Sequence, residues 1–301
     1  MQDGNDKPLK DCVVVVTGAS RGGGRGIAHE LGAAGATVYV TGRSTRERPA
    51  DTYARILALS GETTLPGSID DTADEVTRAG GRGIAVRCDH TRDDDVAALF
   101  DRVRRDHGRV DLLVNNAWGG HEVFDGVFVA PFWERPLDQW DAMIDRGVRN
   151  HWLASRHAAP LMVAAKRGLI VTTTFWDRDR YLDGNLMYDL AKAAMTRLAF
   201  GMAQELKPHG VASVAVSPGW MRTEFILAGF KTDEAHWHEV PALARTESPR
   251  YLGRAVAALA GDVEVIAKTG RVVTVGELAR EYGFTDVDGR QPVAFEMGTD
   301  A

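Results

Sequence analysis

Four valines in succession, Val13 to Val16, run directly into Thr17-Gly18-Ala19-Ser20-Arg21-Gly22-Gly23-Gly24, and this junction constrains the chain more than any other feature. An unbroken β-branched run is apolar on both faces, as in a central strand covered by helices on either side. Helical spacing of Ile27, Ala28 and Leu31 opens straight after the glycines. Strand, glycine turn and helix start, in that order, favour a dinucleotide site over an ordinary βα loop. Glycines at 18, 22 and 24 permit a tight turn and the close approach of a diphosphate. The helix N-terminus adds N–H donors and the positive end of its dipole.

The 301 residues, 44% of them hydrophobic, are enough to bury a large core in one α/β unit, so residues 1–301 are expected to form a single domain. A net charge of −6 argues against nucleic acid or a polybasic membrane surface as partner. No apolar run could span a bilayer, and the first dozen residues lack a signal-peptide core, so a cytoplasmic location is expected. Cys12 and Cys88 fall at two strands with a third between them, about 10 Å apart. That is too far for a disulfide, and both are expected as buried thiols. His29-Glu30, His121-Glu122 and His236-Trp237-His238 lack further ligands at metal spacing, so no metal site is expected.

Further strands are expected at Ala36–Thr41, Gly83–Cys88, Val110–Val114, Gly168–Thr174, Val211–Ser217 and Gly270–Val275. Helical patterns cover Asp70–Ala79, Arg92–His107, Asp138 to about Met162, the stretch with Leu186, Leu190, Ala194 and Leu198, and Pro249–Ala260. Ser68 and Asp138 are expected as caps. Alternation of this kind predicts a Rossmann-type doubly wound parallel sheet, order 3-2-1-4-5-6-7, in a three-layer α/β/α arrangement. Three stretches exceed the minimal connections: an inserted loop about 45–69, with a short helix over Tyr53–Leu59, a substrate flap about 220–248, and a C-terminal extension about 277–301. Aromatic residues crowd the connection after the fourth strand (Trp118, Phe124, Phe128, Phe132, Trp133). Loops beyond the strand ends usually line the ligand crevice, so the substrate is expected to be bulky or aromatic.

Arg43 and Ser44 follow the second strand, with Gly42 where an acidic residue would accept from a ribose 2′-hydroxyl. Two guanidiniums, Arg21 and Arg43, with Ser44 suit a 2′-phosphate instead. Tyr188 and Lys192 lie one helical turn apart. An ammonium beside a phenol would lower its pKa from about 10, making it a workable proton donor near neutral pH.

Thr17-Gly18-x-x-x-Gly22-x-Gly24, Asn115-Asn116-Ala117, Tyr188-x-x-x-Lys192 and Pro218-Gly219-x-x-x-Thr223 together resemble the short-chain dehydrogenase/reductase family, over about residues 9–276. The resemblance implies a cofactor held by Gly18, Ser20, Arg21, Gly22 and Gly24, with Arg43 and Ser44 giving NADP(H) preference over NAD(H). It implies Asp89 at the adenine with His90 beside it, and Asn116 and Ala117 along the cofactor. Pro218, Gly219, Met221 and Thr223 would then lie at its nicotinamide or diphosphate end. Tyr188 would be the acid/base and Lys192 would reach the nicotinamide ribose. Trp118, Phe175, Trp176 and Trp220 are assigned to the substrate. Family members usually form a homodimer or homotetramer through the helices that here bear Gly147 and Tyr188.

Four positions depart from the family pattern. Gly23 replaces an apolar residue and is expected to loosen the turn. Trp118 replaces the glycine of Asn-Asn-Ala-Gly. Phe175 stands where a serine bonds the substrate carbonyl, leaving Thr174 as the stand-in. Gly147 takes the place of a proton-relay asparagine, with Asn150 nearly one turn later. Phe132-Trp133-Glu134-x-Pro136, Trp140, Gly147 and Leu278–Arg290 are similar to the subgroup named dehydrogenase/reductase member 1, which implies an NADPH-dependent carbonyl reductase of broad or undefined substrate. That subgroup generally has Ser-Ser where this chain has Thr174-Phe175.

The leading expectation is an NADP(H)-dependent oxidoreductase acting on a small-molecule carbonyl or alcohol. Loss of the serine keeps a second open, a non-redox dehydratase, epimerase or cyclase using Tyr188 for proton transfer. A non-catalytic NADP-binding protein is the third.

Overall fold

A computed structural model describes residues 7–49, 65–124, 126–182 and 184–294. The helix expected over Tyr53–Leu59 lies outside these residues, as do 50–64 of the insertion and 295–301 of the C-terminal extension.

Seven parallel strands form one sheet: β1 (Val13–Val16), β2 (Thr37–Gly42), β3 (Arg82–Arg87), β4 (Leu112–Asn115), β5 (Gly168–Thr173), β6 (Val211–Ser217) and β7 (Val272–Thr274). Their order is β3-β2-β1-β4-β5-β6-β7, as the alternation of strands and helices predicts. β1 is central, with Val14 opposite Val38 on one side and Leu112 on the other. The valine run serves both faces: Val14 and Val16 join one apolar cluster, Val13 and Val15 the other. Full burial of each such side chain contributes roughly 1.5–3 kcal/mol.

On the first face lie α1 (Gly22–Ala33), α2 (Ile69–Arg78), α7 (Pro249–Gly261) and α8 (Val275–Tyr282). Backbones of α1 and α7 nearly touch there. A Cβ on Gly26 would meet the Pro249 carbonyl oxygen at 2.2 Å, and one on Gly253 the Gly26 oxygen at 2.3 Å. The second face carries α3 (Asp93–His107), α4 (Arg149–Ala165) and α5 (Leu186–Leu206), built on Leu99, Phe100, Leu153 and Leu206.

Several expected boundaries shift. Ser68 caps α2 by accepting from the Asp71 N–H, but Asp138 sits in the first turn rather than capping it. The helix expected from Asp138 begins as one turn, widens into a π-helix over Asp141–Val148, and only then becomes α4. The last strand is shorter than expected because Thr274 ends it by opening α8, through a capping box with Glu277. Cys88 is buried, Cys12 only partly so, and neither is in a disulfide.

Candidate active site

A cavity of about 380 Å³ runs across the C-terminal ends of the strands. Every residue assigned from the sequence to cofactor, substrate or catalysis lines it except Gly24 and Trp176. Gly24 serves packing instead: a Cβ there would lie 2.2 Å from the Gly18 carbonyl oxygen and 2.6 Å from Asn116 Nδ2. Trp176 turns its indole N–H away to Asp179 Oδ1, at 3.0 Å.

The glycine turn forms one end. Gly18 and Gly22 adopt φ of +65° and +56°, and a Cβ on Gly18 would strike Ala117 Cα at 2.7 Å. Thr17 braces β1 to β4, its Oγ1 accepting from the N–H groups of Asn116 and Ala117 and donating to the Val114 carbonyl. Asn116 Nδ2 donates to the carbonyls of Thr17 and Gly18. Gly23, expected to loosen the turn, has no open space where a side chain would stand. The place of its missing Cβ is closed by Asn116 Oδ1 at 3.2 Å and Leu252 Cδ2 at 3.3 Å.

Glu224, from the short helix α6 (Glu224–Gly229), accepts from the Gly22 N–H at 2.8 Å and pairs with Arg25 at 3.2 Å. Its carboxylate thus occupies the anion position at the α1 N-terminus. Arg21 reaches Ser44 Oγ and the carbonyls of Leu65, Pro66 and Gly67. Arg43 pairs with Glu122, which also pairs with Arg146. Burial pushes the Asp89 carboxyl up, but bonds from Thr91 and the charge of Arg43 outweigh it and hold the group below its usual range. His90 turns its ring into the core. Thr41 Oγ1 donates to the Val16 carbonyl, so it accepts from His90 Nε2–H at 2.9 Å. Burial lowers His90 to about 4, so this ring is neutral.

Aromatic rings enclose the opposite end. Asn185 caps α5 by accepting from the Tyr188 N–H, placing Tyr188 in the first turn. Around its ring lie Trp118 and Phe128, each with centroids 5.8 Å away, Phe175 at 6.4 Å, and His121 at 6.0 Å with planes only 3° apart. Lys192 Nζ lies 3.7 Å above the Trp118 ring and 5.2 Å from the Tyr188 ring centroid. Lys192 alone does not supply the expected acidification of the phenol. The ammonium sits over ring faces, and burial, which disfavours charge, raises Tyr188 and lowers Lys192 to about 7.

The family departures prove to be spatially linked. A Cβ on Gly147 would meet Trp118 Cζ3 at 2.7 Å, so the indole fills the space a longer side chain at 147 would need. Asn150 donates to the Arg146 carbonyl, and its Oδ1 is buried without a partner. Thr174 Oγ1 donates to the Lys192 main-chain carbonyl at 3.0 Å, inside the fold. Phe175 lines the cavity at the serine position. His121, weighed in the sequence only as a metal ligand, and Glu224 were missed as site residues. Both enter through loop contacts that no periodicity marks.

Segment 220–248 is pinned at its root, where Met221 bridges Glu247. Buried Arg222 faces Glu234 at 3.1 Å and Asp286 at 3.6 Å, and Asp286 accepts from the Ser248 N–H and hydroxyl. The chain beyond α8 therefore folds back onto this segment. Glu247, buried beside Gly219, is pushed up to about 8 by desolvation.

Among the described residues there is no cluster of three or more metal-type side chains, and no helix long and apolar enough to cross a membrane. The cradle fits a dinucleotide: Gly18, at positive φ, is pressed against Ala117 just beyond β4, and a carboxylate already stands in for an anion at the helix N-terminus.

Comparison with known proteins agrees. The family model described as enoyl-(acyl carrier protein) reductase matches residues 63–276. Dehydrogenase/reductase SDR family member 1 of Mus musculus is 39% identical over 289 residues, covering 94% of this chain and 85% of that protein. A short chain dehydrogenase from Mycobacterium thermoresistibile superposes with a TM-score of 0.77 at 26% identity, covering 97% of this chain and 96% of the other. A metagenomic short-chain oxidoreductase in complex with NADP gives 0.63 at 28% identity, covering 89% and 97%. With its seven-stranded sheet, glycine turn and Tyr188–Lys192 pair, the chain belongs to the short-chain dehydrogenase/reductase family of oxidoreductases.

Proposed function

We propose that the protein is an NADP(H)-dependent oxidoreductase that interconverts a bulky or aromatic carbonyl and its alcohol. One observation carries this reading: the Tyr188 phenol faces an aromatic-walled cavity whose other end is the glycine turn. A nicotinamide coenzyme bound along that cavity supplies or accepts the hydride. Tyr188 gives its proton to the substrate oxygen in reduction and takes it back in oxidation. Lys192 holds the ribose and steadies the developing phenolate. Arg21, Arg43 and Ser44 receive the 2′-phosphate, and bidentate guanidinium contacts favour NADP(H) over NAD(H). Asp89 accepts from the adenine amino group.

Trp118, Phe175 and Trp220 contact the substrate, and segment 220–248 acts as the flap over it. The single-domain protein works in the cytoplasm on a small molecule. Its exposed Trp133, Trp140 and Trp152, on or just before the helix containing Gly147, suit burial in a homodimer or homotetramer.

A second reading, a dehydratase, epimerase or cyclase using Tyr188 alone, is favoured by one observation: the Thr174 hydroxyl is committed to the Lys192 carbonyl. NADPH absorbance followed against aromatic ketones and quinones, beside a Tyr188→Phe control, separates the two. Oxidation that the control abolishes supports the first. Tight NADPH binding with no oxidation for any carbonyl supports the second.

A further inference from the structure

We infer that the imidazole of His121 donates the hydrogen bond to the substrate oxygen that a serine hydroxyl cannot supply in this chain. The inference rests on the oxidoreductase reading and adds a catalytic group to it.

A carbonyl that accepts hydride develops negative charge on oxygen, and one donor besides the proton-giving phenol is needed to stabilise it. The polar side chains at the aromatic end of the cavity are few. Thr173 Oγ1 donates to the Asn115 carbonyl and Thr174 Oγ1 to the Lys192 carbonyl. Asn150 Nδ2 is bonded to the Arg146 carbonyl. The Trp118 indole N–H has no partner but is sealed from solvent, its ring wedged against Gly120 and Gly147. Of the other donors, Lys192 is assigned to the coenzyme ribose and Trp220 packs against Phe230 in the flap segment. His121 lines the cavity beside Tyr188, is half-buried, and its ring nitrogens make no hydrogen bond to any described residue.

Its placement suits the task. The His121 ring lies parallel to Tyr188 with centroids 6.0 Å apart, and Trp118 meets it edge-on at 5.7 Å. Two donors share one acceptor when each lies about 2.8 Å from it, so their polar atoms stand roughly 5 Å apart. The two rings, with centroids 6.0 Å apart, line one cavity as neighbours on that scale. The loop bearing His121 is fixed on both sides. Gly119 N–H donates to the Arg146 carbonyl at 3.0 Å, and Glu122 is held by Arg43 and Arg146. Burial, and the charge of Lys192, lower His121 to about 4, so at neutral pH it is an uncharged ring with one N–H donor.

The reduction step then balances. Hydride adds to the carbonyl carbon, the C=O π pair moves to oxygen, and that oxygen takes the Tyr188 proton. His121 keeps its proton throughout and only donates.

Three variants test this: His121→Phe keeps the ring without a donor, His121→Gln restores an N–H, and Tyr188→Phe blocks turnover. Losing the donor should lower kcat about 10²–10³-fold, as removal of an oxyanion donor does elsewhere. The Gln variant should recover most of that loss, and NADPH affinity should be unchanged in both. With NADPH deuterated at the transferred position, the isotope effect on kcat should rise in His121→Phe. A merely structural defect would lower the active fraction and leave the isotope effect alone. Independently of turnover, the infrared carbonyl stretch of acetophenone bound to the Tyr188→Phe protein should be red-shifted, and adding His121→Phe should abolish the shift. Parent-like kcat in His121→Phe, or an acetophenone band unaffected by its loss, overturns the inference while leaving the oxidoreductase reading intact. A parent that oxidises NADPH with no carbonyl overturns both.

Discussion

The indole of Trp118 and the missing side chain of Gly147 occupy one volume, since a Cβ on residue 147 would lie 2.7 Å from Trp118 Cζ3 and 3.1 Å from Cε3. Two departures from the family pattern, far apart in the chain, are therefore one steric exchange. The ring that fills the space also carries Lys192 on its face, at 3.7 Å. Trp118 thus sets both the shape of the catalytic end and the position of its ammonium.

Gly147→Asn should consequently overpack the site, costing about 1–3 kcal/mol in urea denaturation. Trp118→Gly opens a void in its place and should be destabilising as well. Combined, the two should be less harmful than the sum of their separate effects, and a double-mutant cycle measures the coupling. Strict additivity would show that the two positions do not share space.

Lys192 should impose a pH slope on stability. Burial lowers its folded pKa to about 7, well below the unfolded value of about 10.4. Between those limits the unfolded chain binds more protons, so stability rises with pH across that window and levels off above it. Below about 7 the penalty is present in full. Denaturation midpoints of parent and Lys192→Met, compared from neutral to alkaline pH, should converge as pH increases.

Glu247 should show the opposite sign. Its folded pKa of about 8 lies above an unfolded value of about 4.3, so the cost of burying it is complete above the folded value and fades as pH falls toward the unfolded one. The groups facing it are the Gly219 N–H, Arg222 and Asp286. Glu247→Gln should raise Tm in alkaline buffer and have little effect in mildly acidic buffer, by scanning calorimetry.

Removing the Glu224 charge should tighten cofactor binding. The carboxylate on the Gly22 N–H competes with any diphosphate for the α1 N-terminus. Glu224→Gln should lower the Kd for NADPH about three- to tenfold at low ionic strength, with the gain shrinking in salt. Fluorescence titration reads this directly, and equal affinities would show that the carboxylate moves aside without cost.

Local pattern carried most of the scaffold. The valine run, the glycine turn and the alternating elements were enough for the sheet order, because strand periodicity and connection handedness are properties of short stretches. Tyr188 and Lys192 were legible for the same reason, one turn apart on a helix. What escaped depends on distant pairs. Gly22 and Glu224 are 202 residues apart, and Glu224 reads locally as an ordinary acid in a first helical turn. Trp118 shows itself as a large ring, but only the fold reveals that it sits against Gly147. The π-helix over Asp141–Val148 and the start of α8 at Val275 escaped too. Thr174 was chosen for its hydroxyl, yet strand alternation sends that hydroxyl to the α5 backbone.

The Met221–Glu247 bridge makes a neck. Arg222 N–H donates to the Glu247 carbonyl at 2.9 Å, and Glu247 N–H donates to that of Trp220 at 3.0 Å, so both ends of the intervening segment meet before it reaches the substrate end. With the ends already joined, doubling such a loop costs only about 0.6 kcal/mol in closure entropy. The part of the segment beyond α6 can be exchanged as a cassette while Thr223 and Glu224, at the coenzyme end, stay in place. Grafting foreign loops between Gly229 and Glu247 is accordingly the natural way to give this scaffold a new substrate.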